Sequence, residues 1–284
     1  MKHKVKVIVC SNAALDYVVY SKEIEIFRSK IHFGSESFDD FTEINAVDFY
    51  DRLKKEPNNT PKTSYVSLGY MMETFERLEK EGFTDVLVIT IAKPLSGLHD
   101  AIVHLSKDVK IKVHVYDSKT LAYPEAYMAL TAHKMFDLGA NIKEVLSVLD
   151  FIRDNNKMYF AVDTLLYLVK NGRLSKINGT IGTVLKIKPV LTLDKVGKVE
   201  TIEKIRTTNK AIHRIVELYL EATKDQDVIT FISHAHNDEG VQMISDLVHE
   251  KYPERQIVTS YLTPVVGAHC GPKAIAIGYI LKHK

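Results

Sequence analysis

Along the chain, short β-branched runs alternate with longer amphipathic stretches. Residues 5–9, Val5-Lys6-Val7-Ile8-Val9, are a β-branched run that predicts a buried strand, and the polar turn Cys10-Ser11-Asn12 follows it. In α/β proteins such a pair places a loop at the ligand edge of a sheet. Residues 24–33 are strand-rich but interrupted. Asn45 is positioned to cap a helix carrying Val47, Tyr50 and Leu53 that stops before Pro57-Asn58-Asn59. Gly82 closes a helix whose apolar stripe is Leu68, Met71, Met72, Phe75 and Leu78. Strands at 86–91 and 113–116 then alternate with helices through Met135 and from Ile142 to about Ile152. Strands alternating with helices predict a mostly parallel sheet.

From Met158 the rhythm changes. The pattern predicts a strand at 159–162, a helix from a capping Asp163 to Val169, and a stop at Asn171-Gly172. A glycine-containing link through Ser175, Gly179 and Gly182 leads to an apparent hairpin, 189–193 onto 199–205, across Lys195-Val196-Gly197. A helix at 208–220, a strand at 228–232, a helix at 240–248 and strands at 257–262 and 274–281 complete the chain. The last strand follows the segment from Val266 to Pro272, read as a loop. The fold class is therefore α/β with two α/β domains, 1–156 and 157–284. The first carries a mostly parallel sheet, the second a mixed or antiparallel sheet with helices.

Composition supports two cores, since 284 residues with 45% hydrophobic content reach the size at which single cores divide. Thirty-eight basic against thirty-six acidic residues leave a net charge of +2 without a Lys/Arg-rich tract. Nucleic acid is not an expected partner, and membrane contact is at most transient. Met1-Lys2-His3-Lys4 runs straight into the first strand with no room for a signal segment, so the expected location is cytoplasmic. Cys10 and Cys270 are far apart and read as free thiols.

The candidate chemistry lies in three places. Thr60-Pro61-Lys62-Thr63-Ser64 interrupts two helices, and Thr63, Ser64 and Ser67 are each able to cap the second. Free N–H groups and hydroxyls there would suit a carboxylate or phosphate. His234-Ala235-His236-Asn237-Asp238 has alternate ligand types that would suit a metal-assisted hydrolase, or else it is a polar strand-to-helix turn capped by Asp238. Ser96, at a helix entrance, and His269, among Gly and Pro, offer a serine hydrolase pair. A protonated His269 ring would favour an anion, and Arg173, just past a helix stop, projects from a loop with bidentate capacity for an anion.

Five segments taken in order resemble the DegV family of bacterial fatty-acid-binding proteins: Thr63-Ser64, Pro94-Leu95-Ser96-Gly97, Val115-Tyr116-Asp117-Ser118, Tyr167-Leu168-Val169-Lys170-Asn171-Gly172-Arg173, and Gly267-Ala268-His269-Cys270-Gly271-Pro272. The resemblance implies a long-chain fatty acid held between or within the two domains, its carboxylate near Thr63, Ser64, Ser96 and Gly97 with His269 close by. It implies no cofactor or metal and no chemistry by the carrier itself. It further implies a separate ATP-dependent kinase subunit of the dihydroxyacetone-kinase type that would phosphorylate the bound carboxylate, with Arg173 expected either to neutralise the acyl phosphate or to dock that subunit. The chain departs from the family pattern at Cys10 (usually Asp), Asn171 (usually Gly), Ala122, Pro124 and Ala126 (usually Ser and Gly) and Lys273 (usually Gly).

Overall fold

The computed structural model describes residues 4–20, 22–174 and 187–282. Ser175, Gly179 and Gly182 of the expected link lie outside them. The first half runs β1 (Val5–Cys10), β2 (Glu25–Phe27), β3 (Lys30–Phe33), β4 (Glu36–Asp39), α1 (Ala46–Lys55), β5 (Lys62–Ser64), α2 (Leu68–Lys80), β6 (Asp85–Thr90), α3 (Leu98–Leu105), β7 (Lys112–Asp117), α4 (Tyr123–Asp137) and α5 (Ile142–Asp154). The second runs β8 (Asn156–Ala161), α6 (Leu166–Lys170), β9 (Lys188–Leu193), β10 (Val199–Ile205), α7 (Thr208–Ala222), β11 (Val228–His234), α8 (Asp238–Lys251), β12 (Ile257–Tyr261), α9 (Pro264–Cys270) and β13 (Ile275–Leu281).

The first sheet has the order β2-β1-β6-β7 and is parallel throughout. Its central strands are covered on both faces, which is why Val7–Cys10 and Val86–Ile89 are apolar without a break. Ile8, Cys10, Val86 and Val88 pack against Met71, Phe75 and Leu78 of α2 and Leu98, Ile102 and Leu105 of α3. Val7, Val9, Leu87 and Ile89 face α4 and α5. From β1 the order proceeds in sequence to β2 on one side and jumps to β6 on the other. The carboxyl ends of β1 and β6 therefore flank the kind of switch point where open α/β sheets bind ligands.

The second sheet, β10-β9-β8-β13-β11-β12, is mixed, as expected, with β11 and β12 its one parallel pair. Helices α7 and α8 cover one face through Ile212, Ile215, Tyr219, Ile244 and Val248. The other face turns to the first half: Phe231 packs on Tyr123 with ring centroids 5.5 Å apart, and Met158 and Ile280 join the cluster of β1, β6, α4 and α5. A third, antiparallel sheet, β4-β3-β5, rests with α1 on α6 and α9.

Several local expectations are corrected. Thr63 and Ser64 do not cap α2: they form the edge strand β5, Thr63 opposite Ile31 and Ser64 opposite Lys30, and Ser67 alone caps, accepting from the Tyr70 N–H at 3.2 Å. Asp163 does not cap α6 but pairs with Lys188. Asn237, not Asp238, caps α8, accepting from the Gly240 N–H at 3.1 Å. The segment from Val266 to Pro272 is not a loop. Pro264 opens α9, and at Gly267 the helix lies so close to α1 that a Cβ would come within 2.5 Å of the Tyr50 hydroxyl. Glycine there serves close packing, not flexibility.

Candidate functional site

A cavity of about 370 Å³ opens between the carboxyl edge of the first sheet and the inner face of the second. Its apolar wall comes from Ile91, Leu121, Met158, Phe160, Val199 and Ala276. All six residues proposed from sequence, Thr63, Ser64, Ser96, Gly97, Arg173 and His269, line it together.

Their mutual contacts place them at one end. The Thr63 hydroxyl lies 2.8 Å from His269 Nε2. The Arg173 guanidinium bears on the His269 ring, and its Nε donates to the Leu95 carbonyl at 3.2 Å, next to Ser96. Ser96 Oγ accepts from the Leu98 N–H at 3.2 Å, ordering the entrance to α3, and the Tyr65 ring lies over Gly97. The Ser64 hydroxyl is engaged outward, 2.9 Å from His32 Nε2.

Electrostatically this end differs from the expectation of a protonated imidazole. His269 is carried on buried α9, and burial, with Arg173 beside it, pushes its pKa down to about 3, so the ring is neutral near pH 7. The positive charge belongs to Arg173, half-buried and without a carboxylate partner among the described residues; burial lowers its pKa too. His269 Nδ1 is buried with no hydrogen-bond partner among the described residues. An unpaired buried polar atom costs on the order of 1–3 kcal/mol, and a ligand oxygen at this end would meet the Arg173 guanidinium beside the Thr63–His269 pair.

Asn171, one of the family departures, shapes this end. Its Nδ2 donates to the Ala268 carbonyl at 2.8 Å and the Pro61 carbonyl at 3.3 Å, tying α9 to the entry of β5, and its own carbonyl accepts from Arg173. Lys273 sits at φ +60, where glycine is the unstrained residue.

Neither hydrolase arrangement is assembled. Ser96 and His269 are bonded to other partners, and no carboxylate orients the ring through Nδ1, as a nucleophile and base would require. His234 is buried, stacked on Tyr261 at 4.5 Å, and its Nδ1 accepts from the Asn237 N–H at 3.2 Å. His236 turns to Asp51 and Lys54 of α1. Among the described residues the one group of three or more His, Cys, Asp or Glu with ligand atoms within 4.8 Å of one another is Glu23, His133 and Asp137, far along the chain from both histidines.

Sequence reasoning missed Ser29 and Glu125. Ser29 lines the cavity at the entry to β3. Glu125 is fully buried, and its Oε2 accepts from the Nδ2 of cavity-lining Asn12 at 2.5 Å. Burial raises the Glu125 pKa well above the usual carboxylate range. Asn12 had a signal, being in the polar turn after β1. A single carboxylate in the first turn of a helix had none to mark it as buried.

Fold and site together define an α/β protein whose internal apolar cavity ends in hydroxyls, a neutral imidazole and one guanidinium. The chain belongs to the DegV family, described as "Uncharacterised protein, DegV family", which it matches over residues 4–282. It is 32% identical over 252 residues to a DegV domain-containing protein of Halalkalibacterium halodurans, covering 88% of each chain. Among solved structures it resembles DegV, a fatty acid binding protein from Bacillus subtilis, with a TM-score of 0.86 and 28% identity over 99% of this chain and 100% of that one. It also resembles a fatty acid binding DegV family protein from Streptococcus agalactiae, with a TM-score of 0.89 and 26% identity over 99% and 100% of the two chains. Among the described residues no helix is long and apolar enough to cross a membrane.

Proposed function

We propose that this protein is a cytoplasmic carrier that binds a long-chain fatty acid in the cavity and presents its carboxylate to a separate ATP-dependent kinase subunit, using no metal or cofactor of its own. The observation that carries the reading is the pairing of an apolar cavity with one polar end whose cation, Arg173, has no carboxylate partner among the described residues. Two relatives of like fold are fatty acid binding proteins by name, which supports the choice of ligand.

Burying about fifteen methylenes gains roughly 12 kcal/mol before ordering and association costs, at ~0.8 kcal/mol per CH₂. A neutral hydrogen bond adds about 1 kcal/mol and one to a charged group about 1.5–3. The tail thus supplies most of the affinity, while Thr63, Ser96, His269 and Arg173 determine which end faces outward. On transfer of a phosphoryl group the same guanidinium would face the acyl phosphate, whose charge it is suited to neutralise. The two-domain division at 156/157 belongs to this reading, with the ligand between the two units.

The direct test is mass spectrometry of lipid extracted from the natively purified protein, followed by phosphorylation of the loaded protein with a dihydroxyacetone-kinase-type subunit and ATP. A long-chain acid at near one per chain, converted to its acyl phosphate only with the kinase present, is expected. Protein that is empty and fails to take up palmitate or oleate would overturn the proposal.

A further inference from the structure

We propose that the chain carries a second ligand site, for a small phosphate-bearing anion, in a cavity of about 540 Å³ walled by Lys119, Thr120, Arg153, Lys157, Lys195 and Tyr279. It lies behind the acyl cavity, with Met158 a wall of both, and does not depend on the acyl reading.

The first observation is an unpaired hydroxyl. Thr120 is 2% exposed, and its Oγ1 has no hydrogen-bond partner among the described residues. The turn that carries it is fixed from both sides: the Thr120 N–H donates to Ser118 Oγ at 3.2 Å, its carbonyl accepts from the Ala92 N–H at 2.9 Å, and the Lys119 N–H donates to Asp117 Oδ1 at 3.1 Å. The hydroxyl is itself covered, but Thr120 lines the cavity, and a turn about χ1 would bring its unpartnered oxygen to an external acceptor or donor.

The second observation is charge. Arg153 is matched by Asp150 and Asp154, each at 2.8 Å, but Lys119, Lys157 and Lys195 form no ion pair among the described residues. Lys157 Nζ donates to the Leu193 carbonyl at 2.9 Å, which leaves two of its three protons unassigned, and burial lowers its pKa. The cavity's other carboxylate is already engaged: Asp194 Oδ1 accepts from the Val196 and Lys198 N–H groups, each at 2.9 Å. Asp194 and Glu200 bear on Lys157, and Asp154 on Lys119, but the lining sets four cations, Lys119, Arg153, Lys157 and Lys195, against two carboxylates, Asp154 and Asp194, and is net positive.

The third observation is construction. At Gly197, φ +86, a Cβ would lie 2.4 Å from the Ala92 Cβ and 2.9 Å from the Lys119 carbonyl oxygen. The tip of the β9–β10 hairpin thus seats directly on the Lys119 turn, which brings Lys195 and Thr120 to one cavity. Three ammonium groups and a hydroxyl suit a phosphate, whose charge and several acceptor oxygens engage more of them than one carboxylate would. The apolar floor of Met158, Leu193 and Leu281 beside Tyr279 leaves room for an organic portion.

The test is calorimetry of the full chain with inorganic phosphate, glycerol 3-phosphate and adenosine 5′-monophosphate at constant ionic strength, with chloride as the control. Saturable binding of at least one probe, and none of chloride, is expected. Lys119→Gln with Lys157→Gln should weaken binding at least tenfold. Thr120→Val, which keeps the side-chain shape, should weaken it threefold or more while the Tm stays level or rises, since an unpaired hydroxyl leaves the core. Tightest binding of inorganic phosphate identifies the free ion as occupant, and tighter binding of an ester identifies a phosphate ester. Three probes without saturation, or equal binding by wild type and Thr120→Val, would overturn the site.

Discussion

Along the apolar wall of the cavity between the two large sheets, Phe160 and Ala276 are directly opposed residues of the β8–β13 ladder, and Met158 lies two residues along the same strand. The polar end is assembled differently, from a three-residue edge strand, a turn and the seven-residue α9. There the parts are held by side-chain bonds to distant carbonyls: Asn171 to Ala268, Arg173 to Leu95 and Tyr50 to Leu262, the last at 2.8 Å. The apolar wall is over-determined by sheet register, whereas the polar end depends on a few long-range hydrogen bonds. Substitutions along the apolar wall should therefore alter ligand affinity through volume, and substitutions at the polar end should alter orientation and charge, with a cost to the fold where the removed side chain holds a distant carbonyl, as Asn171 and Arg173 do.

The largest effect should come from plugging the tail. Ala276→Phe places a ring opposite Phe160 and, by displacing four or more methylenes, should weaken palmitate binding by about 3 kcal/mol or more. Calorimetry with palmitate and with a short-chain acid, alongside thermal unfolding, checks this. Palmitate held as tightly as by wild type would place the tail elsewhere. Arg173→Ala should weaken binding by about 1.5–3 kcal/mol, the scale of hydrogen bonds to a charged acceptor, and lower the Tm modestly because its bonds to the Leu95 and Asn171 carbonyls are lost. Arg173→Lys should restore part of it, because the charge returns without the planar fork. Unaltered affinity in Arg173→Ala would assign the residue to partner docking alone. Thr63→Ala with Ser96→Ala should cost about 1–2 kcal/mol of affinity by the same assay. An equal loss for a fatty alcohol would show that the hydroxyls do not read the carboxylate.

How far the sequence led follows the same contrast. β1, β6, β11 and β13 were legible because each is rich in Val and Ile with buried positions, and so was the change from parallel to mixed order. The polar end was legible as a set of residues but not as a shape. Lys62-Thr63-Ser64 carries no strand pattern, because an edge strand of three residues takes its register from β3. β4, with the polar sequence Glu36-Ser37-Phe38-Asp39, was missed although Gly34, at φ +60, marks the turn before it. Gly267 and Pro272 masked α9, which Thr263 followed by Pro264 would have announced as a helix start. Burial of isolated polar groups such as Glu125, Thr120 and Asp40 has no local signature. It arises only when elements far apart in sequence close over them.

The smallest effect at neutral pH, and the most direct probe of the head, concerns His269. With a neutral ring, His269→Asn should cost about 1 kcal/mol of fatty-acid affinity or less at pH 7.5. Its signature lies in the acid limb of stability. The ring titrates at about 3 in the folded chain and at about 6.5 when unfolded, so between those values the unfolded state binds a proton that the folded state refuses. That contribution is fully present above pH 6.5, and unfolding free energy falls by about 1.4 kcal/mol for each pH unit lost below it until the folded pKa is reached. Burial shifts His234 in the same direction, while Asp40, pushed up to about 7, and Glu125 act in the opposite one. The difference between wild type and His269→Asn isolates the single ring. Urea unfolding at pH 7.5, 5.5 and 4.5 should show the variant losing less stability on acidification, and parallel curves would mean that the ring is not buried neutral. Fatty acid should narrow the gap, because a carboxylate beside the imidazole raises its pKa and lets the folded state accept the proton.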